Sequence, residues 1–381
     1  MDMRTCDAEL GLVNRDFAER HWQTRAVHLE RFKQIEAQLD LTEEINETRR
    51  ALIGAYFCHE YSYAGAALTN PSIVAHPDQS GLSGSAMRIV LSMRAVGEGH
   101  ISSIAFREGI LATDGDLRLM SEPRVAMAAH VCDPPPEGIP DGPVMACRYG
   151  EASLSATVIF PFTPAQRNGL EDLRMVRFHP DDGEAVYYGT YTAYSGSRIA
   201  SEMMITRDFR QFDLMPMTGA AACNKGMALF PRKIGGRYAM LGRQDGETLW
   251  FLQSSNLLDW QGGERILAPR FPWELVQMGN CGSPIEIAEG WLILTHGVGA
   301  MRRYAIGAAL LDRDQPTRVL GRTATPLISP SDENREGYVP NVVYSCGSMV
   351  LGRRLFIPYG VADSSIAFCS VSIDELLAEM V

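Results

Sequence analysis

EAVYYGTYTAYSGSRIASEMMI, residues 184–205, reads as two short strands around a turn. Val186, Tyr187, Tyr191 and Thr192 are β-branched or aromatic, Ser195-Gly196-Ser197 supplies the turn, and an apolar run resumes at Ile199. The unit recurs in SAMRIVLSMRAVGEGHISSIAF (85–106), GRYAMLGRQDGETLWFLQSS (236–255), GWLILTHGVGAMRRYAIGAALL (290–311) and RRLFIPYGVADSSIAFCSVS (353–372). The five copies begin near Ser85, Glu184, Gly236, Gly290 and Arg353. Their spacing is about 50 to 60 residues, except for one gap of about 100 that holds the Pro-rich CDPPPEGIP, residues 132–140. A four-stranded blade takes about 40 to 50 residues, so the period predicts an all-β fold, a five-bladed β-propeller whose first blade carries extra material. The competing arrangement is a β-sandwich of hairpins. The polar stretch falls at the same place in every copy, which favours the propeller, because equivalent loops then gather at one end of a central channel. Arg94, His100, Arg198, Arg243, His296 and Asp363 are therefore expected to converge on one pocket.

Upstream the pattern differs. Leu29, Phe32, Ile35 and Leu39 recur at spacings of three and four, so residues 1–60 are read as an N-terminal helical extension and residues 61–381 as the β-propeller catalytic domain. The extension is also the expected surface for a homo-oligomer. Net charge is −11 with no basic stripe, which argues against nucleic acid and acidic membrane surfaces as partners. With no leader and no apolar stretch near the ~20 residues of a membrane span, the expected location is the cytoplasm. The eight cysteines are scattered without CxxC or CxxH spacing, so they are expected to be reduced structural thiols, and neither a metal nor a cofactor is expected.

The charged cluster Glu171-Asp172-Leu173-Arg174 follows Asn168-Gly169 and precedes the apolar MVRF. An acid beside a base at a strand mouth suits acid catalysis, while a solvated turn with a weak ion pair is the plainer reading. Gly97-Glu98-Gly99 before His100 lacks the GxGxxG spacing of a nucleotide fingerprint. Tyr194, Asn341, Tyr344 and Asp363 place aromatic and amide or carboxylate groups beside turns, as sugar recognition requires and as loop capping also would.

Taken in order, LTNPSIV (68–74), LEDLR (170–174), YTAYSG (191–196), NKGMALFPRKIGGRYAML (224–241), THGV (295–298), IGAALLD (306–312), REGYVPNVVYSCG (335–347) and YGVADSSIAFCSVSIDELL (359–377) resemble glycoside hydrolase family 130, the β-mannoside phosphorylases and related β-mannosidases. The resemblance runs from about Asn70 to the C-terminus. It implies a five-bladed propeller that cleaves β-manno-oligosaccharides with inversion, Asp172 being the proton donor acting through a hydroxyl of the mannosyl ring. It also implies that Asn70, Arg94 and Asp363 hold the terminal mannosyl residue, with Arg174, Lys225, Arg243 and His296 among the further substrate contacts. Family phosphorylases hold phosphate with Arg, Lys and His. Here Lys225 remains and Arg198 is a candidate, but the segment usually ending Leu-His-Arg reads Leu241-Gly242-Arg243. That loss favours hydrolysis, with Glu202 or Glu274 activating water, over phosphorolysis with inorganic phosphate as co-substrate. The similarity of GNCGSPIE and GEGHISS to part of the family favours β-1,2-linked substrates. A non-catalytic carbohydrate-binding propeller is the alternative of another class.

Overall fold

The computed structural model describes residues 1–21, 23–39, 44–82, 86–121, 123, 125–150, 152–332 and 335–381; Ser85, the expected start of the first repeat, lies outside them. Two compact units divide the chain, Met1–Ser62 with Pro123–Val125, and Tyr63–Glu122 with Ala126–Val381. Strand predominates over helix in it. Among the described residues no helix is long and apolar enough to cross a membrane.

The first unit has three helices, Met3–Phe17, Thr24–Leu39 and Glu47–Tyr56. Asp2 and Asn46 cap the first and third, accepting the N–H groups of Thr5 at 2.8 Å and Arg49 at 3.0 Å. Each such cap is worth about 1 kcal/mol. His28, Phe32 and Ile35 form the buried stripe of the second helix. Leu39, expected on that stripe, is 63 % exposed. It sits in the last turn of a sixteen-residue helix whose third-helix neighbour has only ten residues.

The second unit is a series of antiparallel meanders. The first runs Ala67–Ala75, Ala86–Val96, Ser102–Ala112, Leu117–Leu119, and the second Gly169–Phe178, Val186–Tyr194, Ile199–Thr206, Gln211–Pro216. The third is Ala228–Leu229, Tyr238–Gly242, Leu249–Ser254, Gly263–Leu267. In the fourth, Gln277–Asn280 and Ile285–Ile287 both pair with Gly290–Val298, followed by Tyr304–Leu311 and Val319–Arg322. In the fifth, Val343–Tyr344 and Met349–Leu351 both pair with Arg354–Val361, followed by Ser365–Ser372. Each of the first four repeated sequence units is thus the central hairpin of one meander, and the fifth is the hairpin that ends its meander. A parallel bridge from Ser102 to Gly169 joins the first two meanders into one sheet. Gly169 has φ 143° there, and a Cβ on it would stand 2.8 Å from the Ser102 nitrogen.

Consecutive meanders share apolar cores. Phe106 and Val90 of the first pack with Leu173 and Tyr187 of the second, and Phe178 and Met203 of the second with Leu229 and Met240 of the third. Leu241 and Phe251 meet Trp291 and Ile293, and Leu292 and Ile306 meet Leu355 and Ile357. Met349 and Phe356 of the fifth meander then pack on Ile73 and Ile89 of the first. Fully burying one such side chain contributes about 1.5–3 kcal/mol, so these seams carry most of the unit's stability. The backbone follows the same circuit, with Cys346 N–H donating to Pro71 O at 2.8 Å and Leu68 N–H to Ser364 O at 3.1 Å.

One thiol expectation is corrected. Cys132 and Cys147 form a disulfide, because the antiparallel strands His130–Asp133 and Val144–Cys147 bring their Cα atoms to 5.8 Å. The other six cysteines are free, with Cys281 and Cys346 buried.

Candidate active site

The strand Gly169–Phe178 contains the acidic cluster rather than following it. Its register with Val186–Tyr194 shifts between Thr190 and Thr192, opposite Asp172 and Leu173. The strand Ala67–Ala75 shifts likewise between Thr69 and Ser72, around Asn70 and Pro71. Pro71 has no N–H to give the ladder, which suits it to a bulge. Asn70 and Asp172 both have left-handed backbone, φ 49° and 58°. That conformation costs about 1–2 kcal/mol for a residue with a Cβ and re-aims a side chain that a regular strand would direct elsewhere.

The two side chains meet. Asn70 Nδ2 donates to Asp172 Oδ1 at 2.7 Å, and Arg94 Nη1 lies 3.7 Å from the same oxygen. Arg94 Nη2 and Lys225 Nζ each donate to buried Glu171 at 2.6 Å, through Oε1 and Oε2 respectively. Ser102 Oγ accepts from Arg94 Nε at 2.8 Å. Arg174, 2 % exposed, donates to the Asp172 carbonyl at 3.2 Å and to the Tyr344 hydroxyl at 2.6 Å. Thr69 Oγ1 bridges Asn70 Oδ1 at 3.0 Å and Asp363 Oδ1 at 3.3 Å. Asp363, at φ 52°, sits in the turn after Arg354–Val361. Gly360 lets that strand approach, since a Cβ on it would stand 2.4 Å from Thr69 Oγ1 and 3.1 Å from the Asn70 nitrogen.

These charges divide the carboxyls. Burial alone would raise Asp172, but Arg94, Arg174, Lys225 and the Asn70 N–H outweigh it and hold it below its ordinary value. Burial and the neighbouring Asp172 charge push Asp363 up. Two interacting carboxyls whose environments separate them are the pattern of an acid–base site.

Asn70, Arg94, Asp172, Lys225 and Asp363 line a cavity of about 260 Å³, with Arg243, Asn280, His296, Arg302, Tyr304 and Tyr344 on its other walls. His296 Nδ1 lies 3.1 Å from the Asn280 carbonyl, so that nitrogen carries the proton and donates, leaving Nε2 to accept from Arg243 Nη1 at 3.3 Å. Burial, then Arg243 and Arg174, drive His296 down to about 3, so its ring is neutral at physiological pH. Arg243 Nε is buried with no hydrogen-bond partner among the described residues.

Not every residue singled out in the sequence reaches this cavity. His100 lies in an exposed turn, its Nδ1 3.4 Å from the Tyr338 hydroxyl. Tyr194 donates to Gly196 O at 3.0 Å, and exposed Arg198 occupies the same hairpin turn. Asn341, at φ 63°, presents its carbonyl to Tyr304 N–H at 3.0 Å, between the cavity residues Val339 and Val342. Glu202 is buried elsewhere, accepting from Gln166 Nε2 at 2.6 Å and Tyr191 OH at 2.5 Å. Glu274 is wholly buried, paired with Arg322 and accepting the N–H groups of Arg270 at 2.8 Å and Phe271 at 3.0 Å. Neither carboxylate lines the cavity. Arg302 and Tyr304 line the cavity without being among the residues singled out in the sequence. They fall in the fourth repeat's hairpin turn, where the first repeat carries Glu98–His100, so aligning the repeats would have found them.

Strands, carboxyl pair and cationic walls together describe a polar pocket equipped for acid–base chemistry. Residues 154–380 match the family model described as β-1,4-mannooligosaccharide phosphorylase, and the chain belongs to this family, glycoside hydrolase family 130. It is 34 % identical over 229 residues to β-1,2-mannobiose phosphorylase of Listeria innocua, an alignment covering 58 % of this chain and 63 % of that protein. The match thus spans less than two thirds of the relative's length. It is 33 % identical over 166 residues to β-1,4-mannooligosaccharide phosphorylase of Ruminococcus albus, covering 40 % and 50 % of the two chains. In fold, it is similar to the solved Listeria innocua enzyme in complex with β-1,2-mannobiose (TM-score 0.54, 23 % identity, 84 % of this chain and 99 % of that one). It is also similar to a structure reported with family glycoside hydrolases that target β-1,2-mannosidic linkages in Candida mannan (TM-score 0.59, 18 % identity, 82 % and 86 %).

Proposed function

We propose that this protein cleaves β-manno-oligosaccharides by phosphorolysis with inversion, on a five-bladed propeller whose central channel holds the site. The circuit of five shared cores, with the fifth meander packed on the first, supports the propeller. The observation that carries the choice of nucleophile is Arg243, a cation on the cavity wall that meets a neutral histidine and whose buried Nε has no partner among the described residues. Arg243 and Arg302 line the cavity beside Arg94 and Lys225, which Glu171 engages, and this cationic wall suits a phosphate dianion. Hydrolysis would need a carboxylate to activate water, and Glu202 and Glu274 are both committed to buried partners.

In this reading Asn70, Arg94 and Asp363 hold the terminal mannosyl residue. A phosphate oxygen bonds to C1 as the bond from C1 to the leaving oxygen breaks, and a proton from Asp172 passes through a ring hydroxyl to that oxygen. The products are α-mannose 1-phosphate and the shortened sugar. For Asp172 to serve as the acid it must take up a solvent proton when substrate binds, and the proton that hydrogen phosphate loses on bonding to C1 restores the balance. A bound sugar displaces water that stabilises the carboxylate, which works in that direction. The deciding experiment incubates the protein with β-1,2- and β-1,4-mannobiose, with and without inorganic phosphate. Mannose 1-phosphate formed only with phosphate is expected; free mannose formed without phosphate returns the assignment to hydrolysis.

A further inference from the structure

Tyr338 stands beside the cavity and takes no part in the chemistry above. Its neighbour Val339 lines the wall, and Val339 N–H donates to Ala362 O at 2.9 Å, tying this segment to the turn that carries Asp363. On its other side Gly337 lies flat against that turn, where a Cβ would stand 2.6 Å from both the Ala362 Cβ and its carbonyl oxygen. The backbone is thereby fixed on both sides of Tyr338, yet the residue is 55 % exposed. Its ring lies 5.6 Å from that of His100 at an interplanar angle of 31°, with the hydroxyl 3.4 Å from His100 Nδ1. His100 itself is held in left-handed backbone at φ 58°, directly after Gly99 at φ 70°.

A large aromatic side chain, positioned from both sides and left open to solvent, is a surface for a ligand with an apolar face and a polar edge. A pyranose ring is such a ligand. We infer that Tyr338, braced by His100, is the platform for the sugar ring on the leaving side of the scissile bond. This rests on the mannoside-cleaving reading. With the terminal mannosyl residue held at Asp363 and Asp172, the sugar joined to it must extend toward the mouth, and Tyr338 is next to the Asp363 turn.

The test compares kcat/KM for whichever mannobiose the protein cleaves faster with kcat/KM for β-mannosyl fluoride, which has no leaving sugar. Tyr338→Ala is expected to lower the mannobiose-to-fluoride ratio about tenfold, the scale of one aromatic contact. Tyr338→Phe, which keeps the ring face, should restore most of it. Turnover of the fluoride also reports that each variant is folded. An unchanged ratio in Tyr338→Ala, or equal losses on both substrates, overturns the platform. A parent protein that turns over neither substrate overturns the mannoside reading and the platform with it, a failure visible before any variant is made.

Discussion

Asn70 Nδ2 donates to Asp172 Oδ1 at 2.7 Å across two meanders, and each residue sits in a strand bulge with positive φ. The pair places a carboxyl where a regular pleat would not. Asp172→Asn should lower kcat for mannobiose cleavage by at least about a hundredfold, the lower range for one acid–base group. Asn70→Ala removes a hydrogen bond that favours the charged form, so Asp172 should titrate at higher pH. Carboxyl titration followed by infrared or NMR checks that direction.

Arg243→Gln should raise KM for phosphate more than tenfold while changing KM for the mannoside far less, because the lost contact is to the anion. Initial rates against phosphate at saturating sugar give the split. Equal effects on both substrates would place Arg243 on the sugar instead.

Glu202→Gln and Glu274→Gln separate burial from catalysis. A glutamine oxygen at 202 can still accept from Tyr191 and Gln166, so cleavage should remain within about threefold of the parent. Burial raises Glu202 above its ordinary value, so its ionised form costs stability as pH climbs through and above that value, and the glutamine variant should gain relative to the parent toward neutral pH. Glu274→Gln leaves buried Arg322 without its counter-charge and should cost about 3–5 kcal/mol in urea denaturation.

His296 has a depressed value, about 3 against 6.5 when unfolded. Its neutral form is the folded one, so its contribution is fully present above pH 6.5 and is lost as pH falls toward 3. The slope from this one group reaches about 1.4 kcal/mol per pH unit. His296→Gln should flatten the acid side of the stability curve, and the His296 ring resonances of the parent should stay unshifted between pH 5 and 8.

The repeats made the hairpins legible, because alternation and turn residues are local signals. Their polar stretches pointed to Arg94, Arg243, His296 and Asp363, which the structure brings to one cavity. Which way a strand residue faces was not legible where bulges intervene, since a bulge depends on the neighbouring strand. Glu202 and Glu274 show the limit. Their burial is decided by Gln166, 36 residues earlier, and by Arg322, 48 residues later, and composition does not register such partners. Cys132 and Cys147 are joined through strand register, which spacing alone does not encode.

The close approach of Gly360 to Asn70 has a consequence for synthesis. Asn70 belongs to the first meander, and the strand that presses on it belongs to the fifth. Until the fifth meander is made, the wall carrying Tyr344 and Asp363 is absent. The cavity is therefore completed only when translation has delivered the strand that presses on Asn70.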